Sequence, residues 1–220
     1  MKKAELARMV DHTNLRPDAT DDDIVRLCTE ARTYRFKAAV VNPVNVGLAA
    51  KLLHGSEVAV CSVVGFPLGA TTSEAKKLEA EEAIRNGASE IDMVANIGAL
   101  KSGRLNDVKT DIESVRAVVK GQGMILKVII EACYLTEREK IEICLLAQDV
   151  GADFVKSSTG FAGGARVEDI RLMRKTVENS LGVKAAGGIR SCPDAIKMIE
   201  AGASRIGTSS GVKIMEECPE

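Results

Sequence analysis

Gly151-Ala152-Asp153-Phe154-Val155-Lys156-Ser157-Ser158-Thr159-Gly160-Phe161 is the stretch on which the reading of this chain turns. A glycine here ends a helix in the left-handed conformation, and Ala152 packs where helix gives way to strand. Asp153 to Lys156 then form a short apolar strand that runs into a Ser/Ser/Thr/Gly turn. The same junction recurs at Gly87-Ala88-Ser89 and at Gly202-Ala203-Ser204. Five residues beyond each glycine stand Asp92, Lys156 and Gly207.

Outward from that stretch, strand and helix patterns alternate. Strands are expected over Met9–Thr13, Ala38–Val41, Val58–Val64, Glu90–Ala95, Ile125–Ile130, the Lys156 segment, Val183–Ala186 and Ser204–Gly207. Most are unbroken apolar runs, as in a parallel sheet buried on both faces. Thr20 followed by Asp21, Asp22 and Asp23 marks a helix start, and Ile24, Leu27, Cys28 and Ala31 fall on one helical face. Helices are also expected over Leu48–Leu53, Leu105–Val119, Val167–Val177 and Pro193–Glu200, with another at the end of the chain. Thr71-Thr72-Ser73-Glu74 and Thr136-Glu137-Arg138-Glu139 have capping-box spacing. In the helix after the second box, Ile141, Cys144, Leu145 and Gln148 are expected to form a mostly apolar face. Eight strand–helix units predict an α/β fold, a (β/α)8 TIM barrel spanning residues 1–220 as a single domain.

The composition narrows the function. Thirty basic and 31 acidic residues leave a formal charge of -1, which offers no electrostatic footprint for nucleic acid or an anionic membrane. With no Trp, two Tyr and four Phe, platforms for stacking bases are absent too. The uncharged stretch from Val58 to Ser73 is broken by Gly65, Pro67 and Gly69, so no membrane span is expected. Met1-Lys2-Lys3-Ala4-Glu5 leads into no apolar signal core, and the protein is read as cytoplasmic. The six cysteines (28, 61, 133, 144, 192 and 218) include no Cys-x-x-Cys pair and suggest neither a disulfide framework nor a metal site. Cys28, Cys61 and Cys144 read as small core residues.

Charge inside the strands carries the chemistry. Residues of alternate strands share a layer in such barrels, so Asp92 and Lys156 are expected to point inward at similar heights, with Gly207 leaving space beside them. Lys127 and Lys184 also lie in apolar strands. Each of the four could be a barrel-filling ion pair. Together, three lysines and one carboxylate leave a surplus of positive charge, which favours a neutral amine suited to imine chemistry or to anion binding. Position and charge alone leave open which lysine is the nucleophile.

Ala186-Gly187-Gly188-Ile189-Arg190 follows the seventh strand, and Gly207-Thr208-Ser209-Ser210-Gly211 follows the eighth. Loops in those places are the recurring phosphate grip of this fold, with glycines admitting backbone N–H groups and hydroxyls adding donors. Gly187, Gly188, Arg190, Gly207, Ser209 and Ser210 are therefore phosphate-site candidates, and Thr159 and Gly160 line the turn after Lys156. His12 stands as a proton-transfer candidate or a structural histidine. His54, before Gly55, suits a helix C-terminus. Glu131 is expected to orient or pair with Lys127.

Asp153–Phe161 and Val183–Arg190 together resemble deoxyribose-phosphate aldolase, a class I aldolase family. The resemblance extends through Asp11-His12-Thr13, Asn42-Pro43, Gly65-Phe66-Pro67-Leu68-Gly69, Glu90-Ile91-Asp92-Met93-Val94 and Gly207-Thr208-Ser209-Ser210. It departs at Asn14, where many relatives have Leu, and at Val40-Val41, where many have a Cys. The family implies that Lys156 forms the Schiff base, Lys184 lowers its pKa and Asp92 helps shuttle protons. It implies reversible cleavage of 2-deoxy-D-ribose 5-phosphate, with Lys127 and the Gly/Ser loops lining the substrate site. It also implies phosphosugar and aldehyde substrates, no metal or organic cofactor, and a homo-oligomer. A different phosphosugar Schiff-base aldolase and a non-catalytic phosphosugar-binding protein are the alternatives.

Overall fold

Apolar strands of three to six residues cannot bury both faces alone, and here they do so by closing on themselves. The computed structural model describes residues 2–121 and 124–219. Its strands are β1 (Val10–Asn14), β2 (Ala38–Val41), β3 (Ala59–Val64), β4 (Glu90–Val94), β5 (Ile125–Ile129), β6 (Phe154–Lys156), β7 (Gly182–Ala186) and β8 (Arg205–Thr208). They pair in parallel in chain order, and β8 pairs with β1 to close the barrel. The surrounding helices are α1 (Lys3–Ala7), α2 (Asp21–Tyr34), α3 (Val46–Leu53), α4 (Ser73–Arg85), α5 (Ile97–Lys101), α6 (Leu105–Lys120), α7 (Glu137–Val150), α8 (Val167–Val177), α9 (Cys192–Glu200) and α10 (Gly211–Glu217). The expected (β/α)8 architecture is the one observed, with strand ends displaced by about one residue.

Helix starts follow their caps. Thr20 and Thr136 accept from the backbone N–H of Asp23 and Glu139, and those carboxylates answer back to the caps. The cap of α4 is Thr72, whose hydroxyl accepts from Ala75 N–H at 3.2 Å, so the Thr71–Glu74 box does not form. Gly87, Gly151 and Gly202 all have positive φ, at 105°, 78° and 113°, as the repeated junction requires. The short helices α1 and α5 were not expected, because five residues are too few for a periodic signal. Asn96 caps α5 through Ala99 N–H.

Two expectations are corrected. The buried face of α7 is Ile143, Cys144 and Ala147, whereas Ile141 and Leu145 look outward. That helix has apolar residues on both sides, and contact with β6 and α8 selects the face with the smaller side chains. Secondly, Cys192 and Cys218 form a disulfide, with Cα atoms 5.5 Å apart. The two are separated by 26 positions, but α9, β8 and α10 fold back so that the start of α9 meets the end of α10.

The main hydrophobic core lies between strands and helices. A smaller cluster of Leu15, Ala38, Val40, Cys61 and Val63 fills the interior beside β2 and β3. The remaining interior, between β4 and β1, is charged. A barrel that is half apolar and half ionic is where the site lies.

Candidate active site

Asp92 is the centre of the charged half, fully buried on β4. Its Oδ2 accepts from Lys156 Nζ at 2.8 Å and from Lys184 Nζ at 2.7 Å. Its Oδ1 accepts from Lys127 Nζ at 2.8 Å and from the Cys61 thiol at 3.2 Å. Burial alone would raise the pKa of this carboxyl, but the three lysines outweigh it and hold it well below the usual range.

The three lysines differ in the company they keep. Lys184 has a second carboxylate, Asp11, at 2.5 Å, and Lys127 has Glu90 at 2.6 Å. Burial works against charge on both, yet their carboxylate pairs prevail and raise their pKa values. Lys156 has Asp92 as its one carboxylate partner among the described residues. Burial lowers its amine below the ordinary 10.5, Asp92 opposes that shift, and neighbouring Lys184 adds to it. Of the three lysines, Lys156 is the amine with the fewest carboxylates to hold a proton among the described residues.

Lys156 also opens onto a cavity of about 510 Å³ at the ends of β6, β7, β8 and β1. Thr159, Gly160, Gly187, Gly188 and Arg190 line it, together with Gly207 and Ser209. Gly187 has φ 91°, and a Cβ there would stand 2.7 Å from Ser158 Oγ and 2.9 Å from Gly163 O. Only glycine lets these loops approach so closely. A Cβ on Gly207 would stand 3.0 Å from Ala186 Cβ and 3.1 Å from Lys184 Cε, so the room left by the missing side chain is taken up by Lys184 packed against the backbone rather than left open.

Other candidates sit elsewhere. Lys127 is fully buried beneath Asp92 and does not line the cavity. Ser210 is the residue before α10 and also stays off the lining, whereas Ser209 is exposed on it. Glu131 does not touch Lys127. It accepts from the backbone N–H of Thr159 at 3.2 Å and its hydroxyl at 2.5 Å, fixing the turn after Lys156. His12 lines the cavity with Nε2 2.6 Å from Glu30, and His54 ends α3 as expected. Burial lowers the pKa of His12 despite Glu30.

The charge surplus is smaller than three lysines and one carboxylate. Asp11, Glu90 and Arg205 also point inward, so the described interior holds four cations and three carboxylates. Arg205 lies 2.6 Å from Asp11 and 3.2 Å from Glu90. Period two would have found two of them. Glu90 shares a strand face with Asp92, and Arg205 with Gly207.

A closed (β/α)8 barrel with a buried amine opening onto a polar cavity has the parts that carbon–carbon lyase chemistry through an imine requires, the chemistry of the aldolase class. A family model described as DeoC/LacD family aldolase matches residues 6–217, and the chain belongs to that family. The chain is 59% identical to the deoxyribose-phosphate aldolase of Thermococcus gammatolerans, over 96% of each. It is 57% identical to that of Methanothermobacter thermautotrophicus, over 97% of this chain and 95% of that protein. The solved deoxyribose phosphate aldolase of Aeropyrum pernix, described as a unique tetrameric structure, is 35% identical with a TM-score of 0.92, covering 98% of this chain and 91% of that one. Among the described residues, no helix is long and apolar enough to cross a membrane.

Proposed function

We infer that this protein reversibly cleaves 2-deoxy-D-ribose 5-phosphate to acetaldehyde and D-glyceraldehyde 3-phosphate, with Lys156 as the Schiff-base nucleophile. The observation that carries the assignment is the lone carboxylate partner of Lys156 beside two each for Lys184 and Lys127. A neutral Lys156 adds to the open-chain aldehyde, and loss of water gives the protonated imine. Asp92, reached through water, takes the proton of the sugar's 3-hydroxyl. The bond between carbons 2 and 3 breaks, its electrons move to the iminium nitrogen, and carbon 3 leaves as the aldehyde of glyceraldehyde 3-phosphate. The enamine left behind is protonated on carbon and hydrolysed to acetaldehyde, which frees the amine.

Lys184, held as a cation by Asp11 and Asp92, keeps Lys156 unprotonated and supplies the acid near it. Gly187, Gly188, Arg190 and Ser209 receive the phosphate, Gly207 lets Lys184 pack against the backbone at the cavity wall, and Ser210 orients the loop from outside the cavity. Thr159 and Gly160 form the wall braced by Glu131. Lys127 acts from below by fixing Asp92. The test is a panel in which deoxyribose 5-phosphate and ketose phosphates compete. Acetaldehyde release from the former alone supports this reading, while cleavage of a ketose phosphate supports the other aldolase. Phosphosugar binding with no acetaldehyde supports a binding protein.

The chain acts as one barrel domain in the cytoplasm and assembles as a homo-oligomer. Support for assembly comes from the tetrameric Aeropyrum relative and from outward-facing Tyr134 and Leu145, 58% and 48% exposed. Light scattering that gives the mass of a monomer would contradict it. The Cys192–Cys218 disulfide fits a reducing compartment least well, and thiol counting in fresh lysate tests that placement.

A further inference from the structure

Six buried ionised side chains close into a ring inside the barrel. Asp92 meets Lys184 at 2.7 Å, Lys184 meets Asp11 at 2.5 Å, and Asp11 meets Arg205 at 2.6 Å. Arg205 meets Glu90 at 3.2 Å, Glu90 meets Lys127 at 2.6 Å, and Lys127 returns to Asp92 at 2.8 Å. Carboxylate and cation alternate throughout, three of each, and the ring is neutral. Lys156 is a seventh member outside it, joined only at Asp92.

Strand register builds this arrangement. Lys156, Lys184 and Arg205 are Cα partners across β6, β7 and β8. Three cations therefore occupy one rung, with Asp92 bridging the first two and Asp11 the last two. The Phe154 ring lies 5.2 Å from the Arg205 guanidinium and covers it. A proton on Lys156 would leave a whole unit of charge unbalanced in a water-poor interior, where charges are poorly screened.

We propose that Arg205 and Glu90, neither of which lines the cavity, are positioning residues for the aldol reaction: they complete a ring whose charge balances without Lys156, leaving that lysine as the free amine. This rests on Lys156 being the nucleophile. The titratable groups acting on Lys156 are Asp92 from β4, Lys184 from β7 and Cys61 from β3. His12 from β1 and the uncharged Gly207 from β8 share the lining of its cavity. Arg205 faces Asp11, Glu90, Lys184 and Phe154. The burial of Lys156 and its contact with Lys184 push its amine in the same direction as the ring's neutrality.

The test is charge arithmetic at a distance. Arg205→Met leaves the ring one negative charge in excess, so Lys156 takes up a proton more readily and the acid limb of kcat/KM moves to higher pH. Glu90→Gln does the opposite and moves the limb to lower pH. Each unit of movement changes the rate on the limb about tenfold. Arg205→Lys, and the double variant Glu90→Gln/Arg205→Met, restore the balance and return the limb towards its wild-type place. Acetylation of Lys156 by acetic anhydride against pH, read by peptide mass mapping, gives the same shifts without relying on turnover. Packing damage would move both single variants alike.

Limbs that stay put, or move in one direction, in variants that still trap acetaldehyde on Lys156 overturn this inference alone. A wild-type protein that traps nothing on Lys156 overturns the nucleophile assignment and this inference with it. If Arg205→Met does not fold, Glu90→Gln against the balanced double variant decides: equal limbs contradict the proposal, and a limb displaced only in Glu90→Gln supports it.

Discussion

Lys156 and Lys184 donate to the same oxygen of Asp92, at 2.8 and 2.7 Å, but only Lys184 has a second carboxylate on its other side. The shared oxygen holds the two amines together, and the second carboxylate makes them unlike. One is suited to nucleophilic attack and the other to carrying charge. Two adjacent amines of equal basicity would compete for one proton; Asp11 settles that competition.

The division of labour predicts different losses from the two lysines. Lys156→Ala abolishes turnover. Lys184→Leu lowers kcat by roughly a hundred- to ten-thousand-fold, the range of a lost acid–base partner. It also shifts the acid limb of the pH–rate profile upward, because the cation that discourages a proton on Lys156 is gone. Steady-state rates from pH 5 to 9 check both.

Asp92 is expected to matter for stability as well as turnover. Asp92→Asn strands buried cations and costs about 3–5 kcal/mol, the usual loss when one side of a buried ion pair is removed. In the wild type, Asp92 and Asp11 titrate below their ordinary 3.8 in the fold. A depressed carboxyl pKa means that the unfolded chain binds protons first. Their stabilisation is therefore complete above 3.8 and lost as pH falls through the folded values. Urea midpoints measured between pH 7 and 2 should fall only in the acid range, and less so in Asp92→Asn.

The phosphate loops predict a split between binding and chemistry. Ser209→Glu places a carboxylate on the cavity wall and raises KM for the phosphorylated sugar, as Arg190→Ala does more weakly. Unphosphorylated deoxyribose should be little affected by either. Parallel kinetics on the two sugars test this, and equal losses on both would contradict the placement.

Reduction of Cys192–Cys218 is expected to destabilise the fold without stopping the reaction. Chain-entropy arguments for a closed loop of this size give about 3.5 kcal/mol. Cys218→Ser should melt several degrees lower than the oxidised wild type and become insensitive to reductant. Thermal scans with and without dithiothreitol check both points.

Much of this was legible in the sequence, for identifiable reasons. The repeated Gly-Ala junction located the interior positions of three strands, and the caps at Thr20 and Thr136 fixed two helices. Asp92, Lys156 and Lys184 declared themselves because ionised residues inside apolar strands are costly. Glu90 and Arg205 were missed at strand beginnings, where charge usually meets solvent. Applying period two from Asp92 and Gly207 would have placed both inside. Asp11 stood beside His12 in a first strand with no strong pattern. Which amine loses its proton depends on distances across five strands, and no linear pattern encodes those. The disulfide was hidden because proximity of Cys192 and Cys218 arises from the packing of α9 on α10, not from their spacing.

Borohydride reduction in the presence of acetaldehyde, followed by peptide mass mapping, tests the central claim most directly. A reduced ethyl adduct on Lys156, with none on Lys184 or Lys127, is the predicted result. An adduct on either of those lysines would contradict the assignment of the nucleophile, and a folded protein that gains no adduct would contradict Schiff-base chemistry altogether.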